Sequence, residues 1–320
     1  MGEKIKNKKL LLIIIAVLVV VVIAVVMLVT NKNEEENPEE TESTTNWAEE
    51  LADAGLSPYN TSLSAYDNAE FTVDFIDVEQ GDCALVSCND KHMLVDCGEA
   101  EYYEVVKHFL ENKGVEKLDI VIVSHPHTDH MGGMSKLFND FAIGTLIMPE
   151  IGNHKDLEIS VYETFQQSLE EHSINVVYPE AEDTFSLDKA DVTIIAPLRK
   201  YREINNMSVI AMVEFEGKKF LFTGDAEERA ELRVLRSNVN LDCDVLKVAH
   251  HGSDSSSAEE FIKASSPEIA VISVAQSNEY NHPDGKSIRN LLKEDAEIYR
   301  TDLDGTISFY IFEDEIIRNV

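Results

Sequence analysis

The sequence predicts an α/β fold: two mixed sheets packed face to face with helices outside. Three observations carry that expectation. From residue 69 onward, short runs rich in Val, Ile and Phe alternate with longer segments whose apolar residues recur at helical spacing. Some short runs follow one another closely enough to be hairpins, while others are separated by a helical segment, so antiparallel and parallel pairing should coexist. The chain has 320 residues, enough for a full-size core once its first thirty are set aside.

The elements follow in order. "FTVDFIDV" (71–78), "CALVSC" (83–88) and "HMLVDC" (92–97) read as strands from their β-branched and apolar content. "EYYEVVKHFLENKG" reads as a helix stopped by Gly114, and "LDIVIVS" (118–124) as a short buried strand. Next come a helix over 155–173, strands over 174–178, 191–196, 208–217 and 218–224, and a helix over 226–236. Strand 244–249, helix 258–264, strand 268–274, helix 285–295 and strands 297–301 and 306–312 complete the domain.

Ahead of it lie three other regions. Residues 1–9 carry four lysines against one glutamate, and residues 10–29 are twenty apolar residues without a charge, enough to span about 30 Å of hydrocarbon at 1.5 Å per residue. The rival reading is a cleaved signal peptide, but the run exceeds a usual signal core and no small-x-small site follows it. A retained signal anchor is therefore expected, cytoplasmic at its lysine-rich N-terminus, which places the rest outside the cell membrane as a single-pass protein. Residues 30–68, rich in Glu, Asn, Ser and Thr, read as a flexible acidic linker, and 69–320 as the folded domain.

The net charge is −33, and without the first nine residues the remainder carries about −36. Such an excess repels nucleic acid and anionic lipid unless a local patch or a metal ion reverses the sign. Solubility of an extracellular domain explains most of it. Four cysteines are too few for a disulfide scaffold and lack zinc-type spacing. A hairpin with a three-residue loop at 89–91 would set Cys83 opposite Cys97, so a cross-strand disulfide and four buried thiols both stand open.

The chemistry concentrates in "HPHTDH" (125–130), directly after an apolar strand. His125 and His127 are two apart, so in an extended segment their rings project to one side, and Asp129 and His130 sit where the chain turns. A lone strand histidine is usually a satisfied core or surface residue. Three of them with an aspartate in six positions offer ligands for two cations. Asp225 in "FTGDAEE" also ends a strand, where a carboxylate could bridge two cations or simply cap the next helix. "DVLKVAHHGS" ends a strand at His250 and His251, alone no more than a turn.

Together these residues resemble the metallo-beta-lactamase fold, an αββα sandwich, from about residue 69 to the C-terminus. "DFIDVEQGDCALV", "MLVDCG", "VSHPHTDHMGG", "FLFTGDAEE", "DVLKVAHHGSDSSS", "PEIAVISVAQSNEYNHPD" and "YRTDLDGTI" are similar, in order and spacing, to the extracellular domain of the ComEC proteins of bacterial DNA uptake. The many-helix channel of that family has no counterpart here, so the chain is not expected to form a pore itself. The resemblance implies that His125 and His127 hold a first divalent ion, that Asp129, His130 and His250 hold a second, and that Asp225 bridges. Asp129 is counted among the catalytic residues too, with His282 as proton source for the leaving oxygen. Asp82 and Asp96 would orient ligands, and Asn206, His251 and Ser253 would support them or contact substrate.

One departure bears on the metal. Zinc hydrolases of this fold usually place a further histidine between the HxHxDH segment and the bridging aspartate, and here that interval holds only His154 and His172, neither on the corresponding strand. Asn205 or Asn206 would substitute as a weak oxygen ligand, or the first site would keep extra water, and fewer imidazoles with more oxygen donors shift the expectation from zinc toward manganese or magnesium, with one or two ions. The expected function is a membrane-anchored, metal-dependent phosphodiester hydrolase, with DNA the substrate suggested by the resemblance. The alternatives are hydrolysis of another envelope phosphodiester or small ester, and a non-catalytic binding module.

Overall fold

The alternation of hairpins and crossovers produces fifteen strands among the described residues: β1 (Phe71–Phe75), β2 (Ala84–Cys88), β3 (Lys91–Val95), β4 (Lys117–Ile122), β5 (Ala142–Ile147), β6 (Val176–Val177), β7 (Thr184–Leu187), β8 (Ala190–Ala196), β9 (Ile210–Phe215), β10 (Lys218–Phe222), β11 (Val245–Lys247), β12 (Ile269–Ile272), β13 (Glu297–Arg300), β14 (Ile307–Phe312) and β15 (Glu315–Asn319). The structure is a computed structural model and describes residues 66–152, 154 and 157–319. One sheet runs β15-β14-β1-β2-β3-β4-β5-β6 and the other β13-β12-β11-β10-β9-β8-β7. Both are mixed in the same way. Hairpin-linked strands pair antiparallel (β1 with β2, β2 with β3, β8 with β9, β9 with β10), and crossover-linked strands pair parallel (β3 with β4, β4 with β5, β10 with β11, β11 with β12).

Three apolar clusters define four layers. The inner faces of the two sheets meet through Phe71, Phe75, Val86, Phe215, Phe220, Phe222 and Phe309, all buried. The outer face of the first sheet packs on helices Tyr103–Asn112, Met134–Asp140 and Ile159–Glu171, and that of the second on Glu228–Leu235, Glu259–Ser265 and Gly285–Lys293. This is the αββα arrangement anticipated from the sequence. Among the described residues no helix is long and apolar enough to cross a membrane. The expected cytoplasmic segment and anchor (1–29), and the linker up to residue 65, lie outside the described residues. Tyr66, placed in that linker by the sequence, is instead buried: its hydroxyl bonds Asp74 and receives Lys113.

Two local corrections matter. The β2–β3 hairpin closes on two residues, Asn89 and Asp90, because Cys88 pairs with Lys91 and Asn89 takes a left-handed φ of 50°. Ala84 then faces Val95, which sets Cys83 against Asp96 instead of Cys97, and all four cysteines are free and buried. Strand β5 was not anticipated because Gly144 interrupts it. The glycine is needed where β5 meets β4, since a Cβ there would overlap the carbonyl oxygen of Asp119.

Candidate metal centre

Strand ends at one edge of the sandwich deliver the site. The chain leaving β4 carries Ser124 and His125, then His127, and a short helical turn, Thr128–Met131, presents Asp129 and His130. From the second sheet, the turn after β10 supplies Asp225, and the one after β11 supplies His250 and His251. The register is held by backbone bonds: Asp82 N–H to Asp129 O (3.0 Å), Cys97 N–H to His130 O (2.7 Å) and Val209 N–H to Ser124 O (2.9 Å). Gly81, at φ 141°, permits the first of these contacts, because a Cβ would collide with the Asp129 carbonyl.

The donors form two nests that share one carboxylate. His125 Nε2 and His127 Nδ1 lie 2.9 Å apart, and His125 Nε2 is 3.7 Å from Asp225 Oδ2. On the other side of Asp225, Oδ1 is 3.2 Å from His130 Nε2 and 3.7 Å from His251 Nε2. Asp129 Oδ2 completes this second nest, 3.2 Å from His251 Nε2 and 3.8 Å from His130 Nε2. Each nest groups ligand atoms closely enough to hold a metal ion. His130 Nε2, His251 Nε2 and Asp225 Oδ1 are buried and make no hydrogen bond, so once the two imidazoles are neutral their lone pairs face one another without a partner. That is what a divalent cation requires, and a metal fits these residues.

A ring of supporting groups sets the imidazoles. Asp96 accepts from His130 Nδ1 (2.9 Å) and from the backbone and hydroxyl of Ser124 (2.7 Å each). His251 Nδ1 donates to Ser273 O (2.9 Å) and lies 3.4 Å from Asp82, whose charge is met by the buried Lys247 ammonium at 2.8 Å. Asp96 and Asp82 thus lie against the Nδ1 atoms of His130 and His251. The charge balance is acidic. Burial drives the His125 pKa well below its ordinary value, and it also lowers that of His127. Burial opposes charge on His130 and His251 too, but Asp225 beside both, with Asp129 and Asp96 at the former and Asp82 at the latter, raises His130 well above 6.5 and His251 to about 10. Asp82 is held down to about 2: burial works against its charge, and Lys247 and His251 overcome that. Without cations, the second nest thus keeps protons on imidazoles whose neutral form a metal needs.

Of the two histidines after β11, both at a left-handed φ of 52°, His251 turns inward and His250 stays partly exposed. His250 Nε2 still reaches to 3.6 Å of Asp225 Oδ2 from the cavity side. Asn206 is occupied elsewhere, donating to Glu227 and accepting from Ala230 N–H to cap a helix, while Asn205 lines the cavity with its Oδ1 unbonded. Ser253 is buried, its hydroxyl paired with Ser255, and it is Ser255 that touches His250 Nδ1 (3.2 Å). His154 and His172 are bound to Arg202 O and Asn139 and do not join the nests.

The nests open into a cavity of about 290 Å³, bordered further by Gln80, Thr128, Glu158, Tyr280 and His282. His282 arrives on a loop pinned by Asn278, and its ring lies 5.6 Å from those of His250 and Tyr280. Burial, reinforced by His250 and His251, lowers its pKa to about 4, so it is neutral at pH 7. Sequence reasoning missed Lys247. A lysine two positions after Val245 in an apolar strand must share its inner face, and that was the available signal.

Comparison with known proteins adds lineage to this geometry. The sequence model described as "Metallo-beta-lactamase superfamily" matches residues 76–276. ComE operon protein 3 of Bacillus subtilis (strain 168) is 29% identical over 263 residues, covering 76% of this chain and 33% of that protein. Competence protein ComA of Neisseria gonorrhoeae is 30% identical over 266 residues, covering 82% of this chain and 35% of that one. The chain thus spans about a third of the length of these curated relatives. Among solved structures, CmlA, a diiron beta-hydroxylase from Streptomyces venezuelae, superposes with a TM-score of 0.51 at 15% identity over 84% of this chain and 60% of that one, a likeness of fold alone.

Proposed function

The chain belongs to the metallo-beta-lactamase superfamily, and from that premise we propose that it is a metal-dependent hydrolase of phosphodiesters, acting on DNA outside the cell membrane. The observation that carries the reading is the pair of nests sharing Asp225, with three convergent buried donor atoms left unbonded and a cavity open beside them. When bound, divalent ions supply Lewis acidity, acidifying water and polarising phosphoryl oxygens. His125, His127 and Asp225 would hold one ion, and Asp129, His130, His251 and Asp225 the other. The first nest groups two imidazoles with one carboxylate, and Asn205, its Oδ1 unbonded, lines the same cavity; an oxygen donor in place of a third imidazole would favour manganese or magnesium over zinc.

The remaining residues act around that centre. Asp96 and Asp82 fix the tautomers of His130 and His251 by accepting or facing their Nδ1 atoms. His282, neutral at rest, faces the cavity, and an anionic phosphate beside it would raise its pKa toward the range in which it gives the leaving oxygen a proton. DNA as substrate rests on the competence proteins to which the chain is similar. The extracellular, membrane-anchored location rests on the lysine-flanked apolar run of residues 10–29.

The test is cleavage of end-labelled single- and double-stranded DNA by the full chain with manganese, magnesium or zinc, beside Asp129→Ala. Cleavage that needs metal and disappears in the variant is the expected result. No cleavage by folded, metal-loaded protein would overturn the DNA reading and direct the search to envelope phosphodiesters.

A further inference from the structure

A second cavity, of about 450 Å³, lies on the same edge of the first sheet as the metal nests. Its place follows from the parallel ladder. Val123 N–H bonds Ile147 O (2.9 Å) and Met148 N–H bonds Val177 O (3.1 Å), so the segments leaving β4, β5 and β6 run side by side. The first carries His125 and the third carries Tyr178, two strand spacings away, roughly 10 Å. The 3-10 turn Asn205–Met207 links the cavities, with Asn205 lining the metal side and Met207 the other.

The second cavity combines an apolar wall and an aromatic ring with two cations, Arg199 and Lys200, and two carboxylates, Glu150 and Glu180. Pro197, Leu198 and Met207 give it an apolar wall, and the Tyr178 ring stands 57% exposed at its rim. Arg199 and Lys200 line it and belong, with Arg202, to the densest basic stretch of the described residues. Arg199 is exposed, and among the described residues it makes no ion pair, although the chain carries 60 acidic side chains. It is steadied by the ring of buried Tyr201, 4.7 Å from the guanidinium carbon. Lys200 meets Glu150 at 2.6 Å, but that pair is largely solvent-exposed and weak enough to exchange for a phosphate.

An aromatic face, a steadied guanidinium and a lysine in one apolar-walled cavity are the parts with which proteins hold an unpaired nucleotide: the base stacks and the cations meet the backbone. The volume is in the range of small-ligand sites. We infer that this cavity is a binding subsite for an unpaired nucleotide of the DNA strand whose scissile phosphate lies at the metal nests. The inference rests on the phosphodiesterase reading and specifies its substrate as single-stranded at that point.

The test uses the full chain, two deoxythymidylate oligomers (a dinucleotide and a dodecamer) and bis(p-nitrophenyl) phosphate, which is too small to reach the second cavity. Tyr178→Ala and Arg199→Ala should each raise the KM for the dodecamer about tenfold, leave hydrolysis of the small diester within twofold of wild type, and leave the dinucleotide nearly unaffected. Tyr178→Phe keeps the ring and should retain wild-type KM. Variants that handle the dodecamer as the wild type does would overturn the subsite while the hydrolase reading stands. A wild-type protein that hydrolyses the small diester but favours the dodecamer no more than the dinucleotide would do the same. A wild-type protein inactive on every phosphodiester with every ion overturns the reading beneath it, and the subsite with it.

Discussion

Replacing Asp225 by Asn preserves its size but removes the charge that both nests share, and one carboxylate then no longer serves two cations. The expected outcome is loss of both ions by elemental analysis and a fall in activity of more than about a hundredfold. The neighbouring histidines should separate. His251→Ala deletes a donor of the second nest and should lower metal content, whereas His250→Ala, which lies on the cavity side of Asp225, should keep it and weaken turnover. Equal metal loss in the two variants would show that His250 is a ligand after all. Lys247 makes a different prediction. Lys247→Met leaves the Asp82 carboxylate buried without its 2.8 Å partner, and breaking a buried pair from one side costs about 3–5 kcal/mol. Urea unfolding should show that loss even in metal-free protein, and an unchanged midpoint would mean that Asp82 takes up a proton in the variant.

Among the elements, most long segments were legible because their apolar residues repeat at one clear period. The helix Tyr103–Asn112 stops before Gly114, and β9 and β10 lie within the runs that predicted them. What escaped was short or depended on a partner. β5 is broken in sequence by Gly144, which only the close approach of β4 explains, and β7 and β15 are edge strands with little apolar pattern of their own. Within the site, the HxHxDH segment and Asp225 were legible as clustered donors, but the inward turn of His251 was not, since left-handed φ values at two successive histidines are a tertiary outcome. The β2–β3 hairpin shows how one residue decides chemistry. A two-residue turn shifts the register and parts Cys83 from Cys97 across the pair. Alkylation of unfolded, unreduced protein should therefore label all four cysteines by intact mass, and labelling of two would mean that a disulfide forms despite this register.

For the whole molecule, metal, protons and stability are one linked system. Asp82, Asp96, Asp129 and Asp225 crowd His130 and His251, and the Lys247 ammonium pairs with Asp82, so the metal-free fold holds protons on His130 and His251. A folded-state pKa raised from 6.5 to about 10 makes protonated His251 a stabilising element that is fully present below pH 6.5 and lost as pH rises through about 10. Metal binding has the opposite sign. It requires the neutral imidazoles, so protons must leave, and apparent affinity should rise by about tenfold per pH unit for each proton displaced. A cation at a hundred times its dissociation constant stabilises by about 2.7 kcal/mol, which for a domain of this size raises Tm by roughly 5–10 °C. The difference in Tm between manganese-loaded and chelated protein should therefore be wider at pH 8 than at pH 6, because alkalinity weakens the metal-free state and strengthens binding together. Thermal scans at the two pH values decide the matter. A gap that narrows on going to pH 8 would mean that His130 and His251 do not release protons to the metal, and the second nest would then no longer qualify as the place where that ion is held.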